Sequence, residues 1–148
     1  MAVTDIPANS STGEAKHAGP VINDFSILVS SRNGSGSQTS NLVLLRSLFK
    51  MGIPSSGKNL FPSNIQGMPT WYNIRCSPDG YVARRERPEI AVLMNPETAP
   101  DDLAKVETGG VCLYSESAGY ELTREDLTCY PMPVKQLSKQ AEVSTSMR

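Results

Sequence analysis

Phe25-Ser26-Ile27-Leu28-Val29-Ser30 is followed by Ser31-Arg32-Asn33-Gly34-Ser35-Gly36-Ser37, and then by Leu42, Leu45, Leu48 and Phe49 at helical spacing. The apolar run has strand length. The two glycines of the middle segment permit a tight bend. The last segment alternates apolar positions with Asn41, Arg46, Ser47 and Lys50, as a helix with one core-facing stripe requires. Ser37, Thr39 and Ser40 are candidate N-caps, and Gly52 with Pro54 supplies a stop. Strand, glycine turn and helix open a βαβ unit, so the expected class is α/β.

Downstream, Thr70 to Cys76 alternates, with Tyr72, Ile74 and Cys76 on one face and Trp71, Asn73 and Arg75 on the other. Pro78-Asp79-Gly80 is a turn signal, and Tyr81-Val82-Ala83 is read as the returning arm of a hairpin. Ile90 to Met94 has the continuous apolar character of a strand covered on both faces. Pro100-Asp101-Asp102 opens a short helix with acids in its first turn, ended by Gly109-Gly110. Val111 to Tyr114 and Leu127 to Tyr130 read as further strands, and Ser55 to Pro69 as a long loop. The expected architecture is a mostly parallel open sheet flanked by helices, with an antiparallel hairpin. Residues 1–21 read as a disordered leader, which holds the single histidine, His17.

Charge is unevenly distributed. Residues 25–78 form a 54-residue run with no acid and five bases (Arg32, Arg46, Lys50, Lys58 and Arg75), while residues 79–129 carry eleven acids against five bases. Buried elements need few charges, and a surface that meets an anion needs few acids. Arg84-Arg85-Glu86-Arg87 is either a solvated linker or an anion contact. Cys76, Cys112 and Cys129 are widely spaced, which excludes a zinc or iron–sulfur site built from cysteines alone. Cys112 and Cys129 sit in apolar runs and read as core. No apolar stretch resembles a secretory signal or reaches the length of a membrane span, so a cytoplasmic, reduced chain is expected. Nothing points to nucleic acid.

Two glycine motifs need weighing. Gly34-x-Gly36-x-x-Thr39 lacks the third glycine of a dinucleotide fingerprint, and no acid follows about 20 residues later to hold a ribose. The turn can hold a phosphate on the helix N-terminus, or merely pack tightly. Gly52-Ile53-Pro54-Ser55-Ser56-Gly57-Lys58-Asn59 copies P-loop spacing until Asn59, which replaces the magnesium-binding Ser or Thr.

The turn with Asn41, the stretch Phe61-Pro62-Ser63-Asn64-Ile65-Gln66-Gly67-Met68-Pro69-Thr70-Trp71-Tyr72, and Met94-Asn95-Pro96-Glu97-Thr98 together resemble the gamma-type domain of 2-oxoacid:ferredoxin (acceptor) oxidoreductases. The form in which that domain is fused ahead of the alpha domain, as in 2-oxoglutarate:ferredoxin oxidoreductase, resembles it most. The resemblance covers residues 22–137, and residues 138–148 are assigned to a partial helix or tail. It implies a component of an enzyme that oxidatively decarboxylates a 2-oxoacid to an acyl-CoA. It also implies thiamine diphosphate, coenzyme A and iron–sulfur clusters in the full complex, none held by this chain alone, and alpha and beta-type partners with ferredoxin reached through the complex. Asn33, Gly34, Ser35, Gly36, Ser37, Asn64, Gln66 and Gly67 are then expected to face the shared active site and its cofactors. No catalytic residue and no metal ligand is assigned to this chain, and the isolated chain is expected to be inactive. Separate gamma subunits carry more glycines in the turn, where this chain has Ser37 and Thr39. The sequence stops at Arg148 before the helices that complete the domain in the family, so truncation at the C-terminus is expected. The alternatives are a non-catalytic phosphate- or nucleotide-binding module and a structural subunit.

Overall fold

The computed structural model describes residues 23–116, 119 and 124–141; the leader at 1–21 and residues 142–148 of the tail lie outside them. Its elements are β1 (Phe25–Arg32), α1 (Ser37–Lys50), β2 (Ser55–Leu60), β3 (Pro69–Cys76), β4 (Ile90–Leu93), α2 (Ala99–Lys105), β5 (Val111–Ser115), β6 (Thr128–Met132) and α3 (Val134–Gln140). The strands form one six-stranded sheet in the order β2-β3-β1-β4-β5-β6. β1, β4, β5 and β6 run parallel, while β3 is antiparallel to both β1 and β2. A mostly parallel α/β sheet with an antiparallel portion is therefore what the chain adopts.

Strand register sorts the core into two layers. Ile27, Val29, Tyr72, Ile74 and Cys76 cluster on one face, where Leu45 and Leu48 of α1 and Ile53 pack on them. Ala91, Leu93 and Cys112 cluster on the other face with Ala99, Leu103 and Val106 of α2 and its exit, and with Leu127. Each fully buried aliphatic side chain contributes roughly 1.5–3 kcal/mol. The alternation read in β3 holds, yet both of its faces are buried, because Asn73 and Arg75 are covered as well.

Four expectations are corrected. Ser55–Leu60 is not loop but strand β2, paired along its length with β3. It is an edge strand of polar residues, so no apolar alternation marks it. The antiparallel partner of β3 therefore precedes it, and Tyr81-Val82-Ala83 is not a returning arm. The Ser77–Gly80 turn does form, with the Gly80 N–H donating to the Ser77 carbonyl at 3.0 Å. The chain after it lies outside the sheet, with Tyr81 and Val82 exposed and the Ser56 hydroxyl donating to the Val82 carbonyl. Helix α1 is capped by Gly36 in the left-handed region rather than by a hydroxyl. Its apolar stripe is also narrower than the spacing suggests: Leu45 and Leu48 reach the core, whereas Leu42 and Phe49 are exposed, Phe49 at 67%. Cys112 is buried as expected, and Cys129 is half-buried directly opposite it on β6. Strand β6 continues through Pro131, which an edge strand accommodates without losing a ladder bond.

Ion pairs close the amino end of β1. Buried Arg75 and the partly exposed Arg85 each meet the Asp24 carboxylate at 2.5 Å. Arg85 also pairs with Glu89, whose other oxygen accepts the Ser26 N–H at 2.7 Å. Of the basic tetrad, Arg85 is thus a structural residue.

Candidate functional site

In open parallel sheets, ligand crevices form beyond the carboxyl ends of the strands. Here three loops meet at that edge: the β1–α1 turn, the β2–β3 loop, and the segment that follows β4. They are the three segments that carry the family resemblance.

Asn33 joins the first two. Its N–H donates to the Met68 carbonyl at 2.8 Å, and its carbonyl accepts the Gly67 N–H at 2.9 Å. Its side-chain amide donates to the carbonyls of Ser63 (3.3 Å) and Ile65 (3.2 Å). Gly67 and Met68 thus oppose the single residue Asn33, a bulge that continues the β1–β3 ladder past Arg32 and Pro69. Gly67 has φ 87°, as the first residue of such a bulge and the third residue of the Ile65–Met68 turn both require. Gly34 is held as tightly. Its φ is 85°, and a Cβ there would stand 3.0 Å from Cγ of Gln66. The Ser35 N–H donates to the Arg32 carbonyl at 3.2 Å, and the Ser37 hydroxyl shares a 2.7 Å hydrogen bond with that of Ser31. Asn64 is an exposed residue of the same loop.

Residues after β4 complete the wall. The Met94 N–H donates to the Ser30 carbonyl at 2.9 Å, and the Ser30 and Thr98 hydroxyls lie 2.8 Å apart. The Asn95 side-chain oxygen accepts from Nε of Arg32 (3.3 Å) and from the Glu97 N–H (3.2 Å), while Arg32 pairs with Glu97 at 3.1 Å. Asn95 is fully buried, and its amide nitrogen has no partner among the described residues. Arg32, Asn95 and Thr98 were not singled out individually as site residues. Their role depends on β1 and β4 being sheet neighbours, which spacing in sequence does not reveal.

The turn fits an anionic group. No side chain caps α1, no acid lies in its first turn, and the orphan N–H groups there face the same edge. Elsewhere, the hydrogen bond to Cys129 and burial raise the Cys112 thiol well above its ordinary range, and the same bond lowers Cys129. No group of three or more potential metal ligands occurs among the described residues.

Residues 26–148 match the sequence profile described as pyruvate ferredoxin/flavodoxin oxidoreductase, and the chain belongs to that family. Within it the fold is that of the gamma-type domain. It resembles 2-oxoglutarate:ferredoxin oxidoreductase from Magnetococcus marinus, solved with 2-oxoglutarate, coenzyme A and succinyl-CoA bound, with a TM-score of 0.72 at 21% identity, over 82% of this chain and 22% of that one. It also resembles pyruvate oxidoreductase subunit PORC from Thermotoga maritima (TM-score 0.64, 15% identity, 80% of this chain and 67% of that one). The gamma subunit of a keto/oxoacid ferredoxin oxidoreductase from Geobacter sulfurreducens is similar to the same degree (0.64, 13%, 79% and 66%). This chain therefore spans about a fifth of the first relative and two thirds of the other two. No curated protein matches it in sequence.

Proposed function

We propose that this chain is the gamma-type component of a thiamine-dependent 2-oxoacid:ferredoxin oxidoreductase, converting a 2-oxoacid such as 2-oxoglutarate to its acyl-CoA. The supporting observation is the three-loop wall at the carboxyl edge, in a chain of this family whose fold recurs in an enzyme solved with coenzyme A bound. Asn33, Gly34, Ser35, Gly36, Ser37, Asn64, Gln66 and Gly67 present backbone and amide groups toward the shared active site.

Coenzyme A would supply the thiol that takes up the acyl group. Its phosphates match the uncapped, acid-free start of α1, where backbone N–H groups hold an anion without a bound counter-charge. Asn33 fixes the loop beside that turn, and the Arg32–Asn95–Glu97 contacts fix the segment on its other side. The chain's part is to position and to exclude water. Thiamine diphosphate and iron–sulfur clusters belong to alpha and beta-type partners and to cysteine-rich segments elsewhere in the complex, which passes electrons to ferredoxin. Free cysteines and the lack of a membrane-spanning helix among the described residues agree with a cytoplasmic setting.

The test is turnover. Added to alpha and beta-type partners lacking their gamma part, the chain is expected to bind them and restore 2-oxoacid- and coenzyme A-dependent reduction of a viologen dye. Alone it is expected to give none. Reduction by the chain alone overturns the reading, as does failure to bind or restore. Tight nucleotide binding without any partner would favour a free-standing binding module instead.

A further inference from the structure

The half of the sheet that α2 leaves uncovered holds a second polar site. β2 and β3 pair so that Lys58 stands opposite Asn73 and Ser56 opposite Arg75. All four side chains line one cavity of about 460 Å³, together with Val82, Ala83 and Arg84. Asn73 is 91% buried, from its 9% exposure, and its amide nitrogen has no hydrogen-bond partner among the described residues. Leaving such a donor dry and unpaired costs about 1–3 kcal/mol, so the position calls for an acceptor.

The surroundings state which kind. No acid lines this cavity. Arg75 is already engaged by Asp24 and by the carbonyls of Phe25 and Cys76. Lys58 and Arg84 are exposed and form no ion pair among the described residues. The adjoining cavity of about 220 Å³ does contain acids, Glu86 and Asp102, but Asp102 is taken by the Trp71 indole N–H at 2.9 Å and by Lys105. A negatively charged acceptor in the larger cavity meets the Lys58 and Arg84 charges, with the buried Asn73 amide the polar group at its floor.

We propose that Lys58, Asn73 and Arg84 form a binding site for a small oxyanion, the phosphoryl or carboxylate end of a metabolite. The site is separate from the glycine turn. Asn73 pairs with Leu28, four registers before Arg32 and Pro69, which is about 13 Å along the strand. It also lies on the face of the sheet opposite α1, since Tyr72 and Ile74 pack toward that helix. The P-loop-like spacing at Gly57-Lys58 thus ends in a lysine on an edge strand, where it meets an amide rather than a helix N-terminus.

The experiment is an NMR titration of the 15N-labelled 148-residue chain with inorganic phosphate and, separately, with malonate, each at ionic strength held constant with chloride. Saturable shifts are expected at the Asn73 side-chain amide and the backbone amides of Gly57 and Lys58. Saturation by phosphate alone assigns a phosphoryl group, by malonate alone a carboxylate, and by both either one. Lys58→Gln and Arg84→Gln, both at exposed positions, are each expected to weaken binding about three- to tenfold without disturbing the fold. Shifts that only track those in chloride, or an affinity unchanged in both variants, overturn the proposal.

Discussion

Asn33 commits its backbone N–H, its carbonyl and two donations from its side-chain amide nitrogen to one loop. Removing the side chain in Asn33→Ala deletes two bonds to loop carbonyls and leaves the backbone pair in place. At this half-exposed position the expected loss is about 1 kcal/mol of unfolding free energy, read from urea denaturation. Amide exchange over 61–67 should accelerate while β1 and β3 stay protected; unchanged exchange in the loop would contradict the tether. Gly34→Ala acts through the backbone instead. A φ of 85° strains any side chain by roughly 1–2 kcal/mol, and Gln66 must also move. Both residues were legible in the sequence, because an Asn-Gly turn after an apolar strand names its own geometry. Asn95 was legible only as one residue of the Met94–Thr98 segment, since what makes it part of the wall is Arg32, 63 residues earlier.

Among elements, the strand the sequence concealed is β2. Ser-Ser-Gly-Lys-Asn-Leu lacks an apolar face because it is an edge strand, half-buried at its two ends and exposed at Gly57 and Lys58. A Cβ on Gly57 would come within 2.6 Å of Leu45 and of the Tyr72 hydroxyl. These are side-chain ends that can shift. Gly110, just before β5, is tighter. Its Cβ would lie 2.7 Å from the Glu107 carbonyl and 2.8 Å from the Glu89 carbonyl, both backbone. Gly110→Ala is therefore expected to cost about 1–3 kcal/mol, more than Gly57→Ala, in equilibrium denaturation. Leu42→Ala on the exposed side of α1 should stay within about 0.5 kcal/mol. If Gly110→Ala proved as mild as Leu42→Ala, the close packing of the β4 and β5 entries would be wrong. The strands visible from sequence were those with apolar runs. The helix stripe was over-read because spacing gives periodicity, not how much of the stripe is covered.

For the whole molecule, the acid-free run between residues 25 and 78 takes its counter-charges from outside: Glu97 on Arg32, and Asp24, placed just before the run, on Arg75. The hydrogen bond from Arg75, with the charge of Arg85 nearby, holds the Asp24 carboxyl below its usual range. A depressed folded value means the carboxylate stabilises the fold fully above the unfolded value of about 3.9, and that contribution is lost as pH falls through the folded value. Asp126, lowered chiefly by its hydrogen bond from Arg124, acts with the same sign. Asp24→Asn should therefore melt earlier than the parent at pH 7, with the gap narrowing between pH 5 and pH 2. A constant gap across that range would remove Asp24 from the acid response. Family and fold class were readable from three short segments, because those segments converge on one edge. The second cavity was not, since it needs the register of β2 on β3 to bring Lys58 beside Asn73.

The bulge at Gly67–Met68 limits how this domain can change length. Side chains in β3 alternate faces, so slipping the strand by one residue would exchange Tyr72 and Ile74 with Asn73 and Arg75. An extra residue near Phe61–Ser63 can loop out into solvent and leave the bulge intact. The same insertion between Gly67 and Pro69 must either break the bonds to Asn33 or turn the strand over. Natural variants of this chain should therefore gain and lose residues on one side of Asn64 and keep a fixed count on the other.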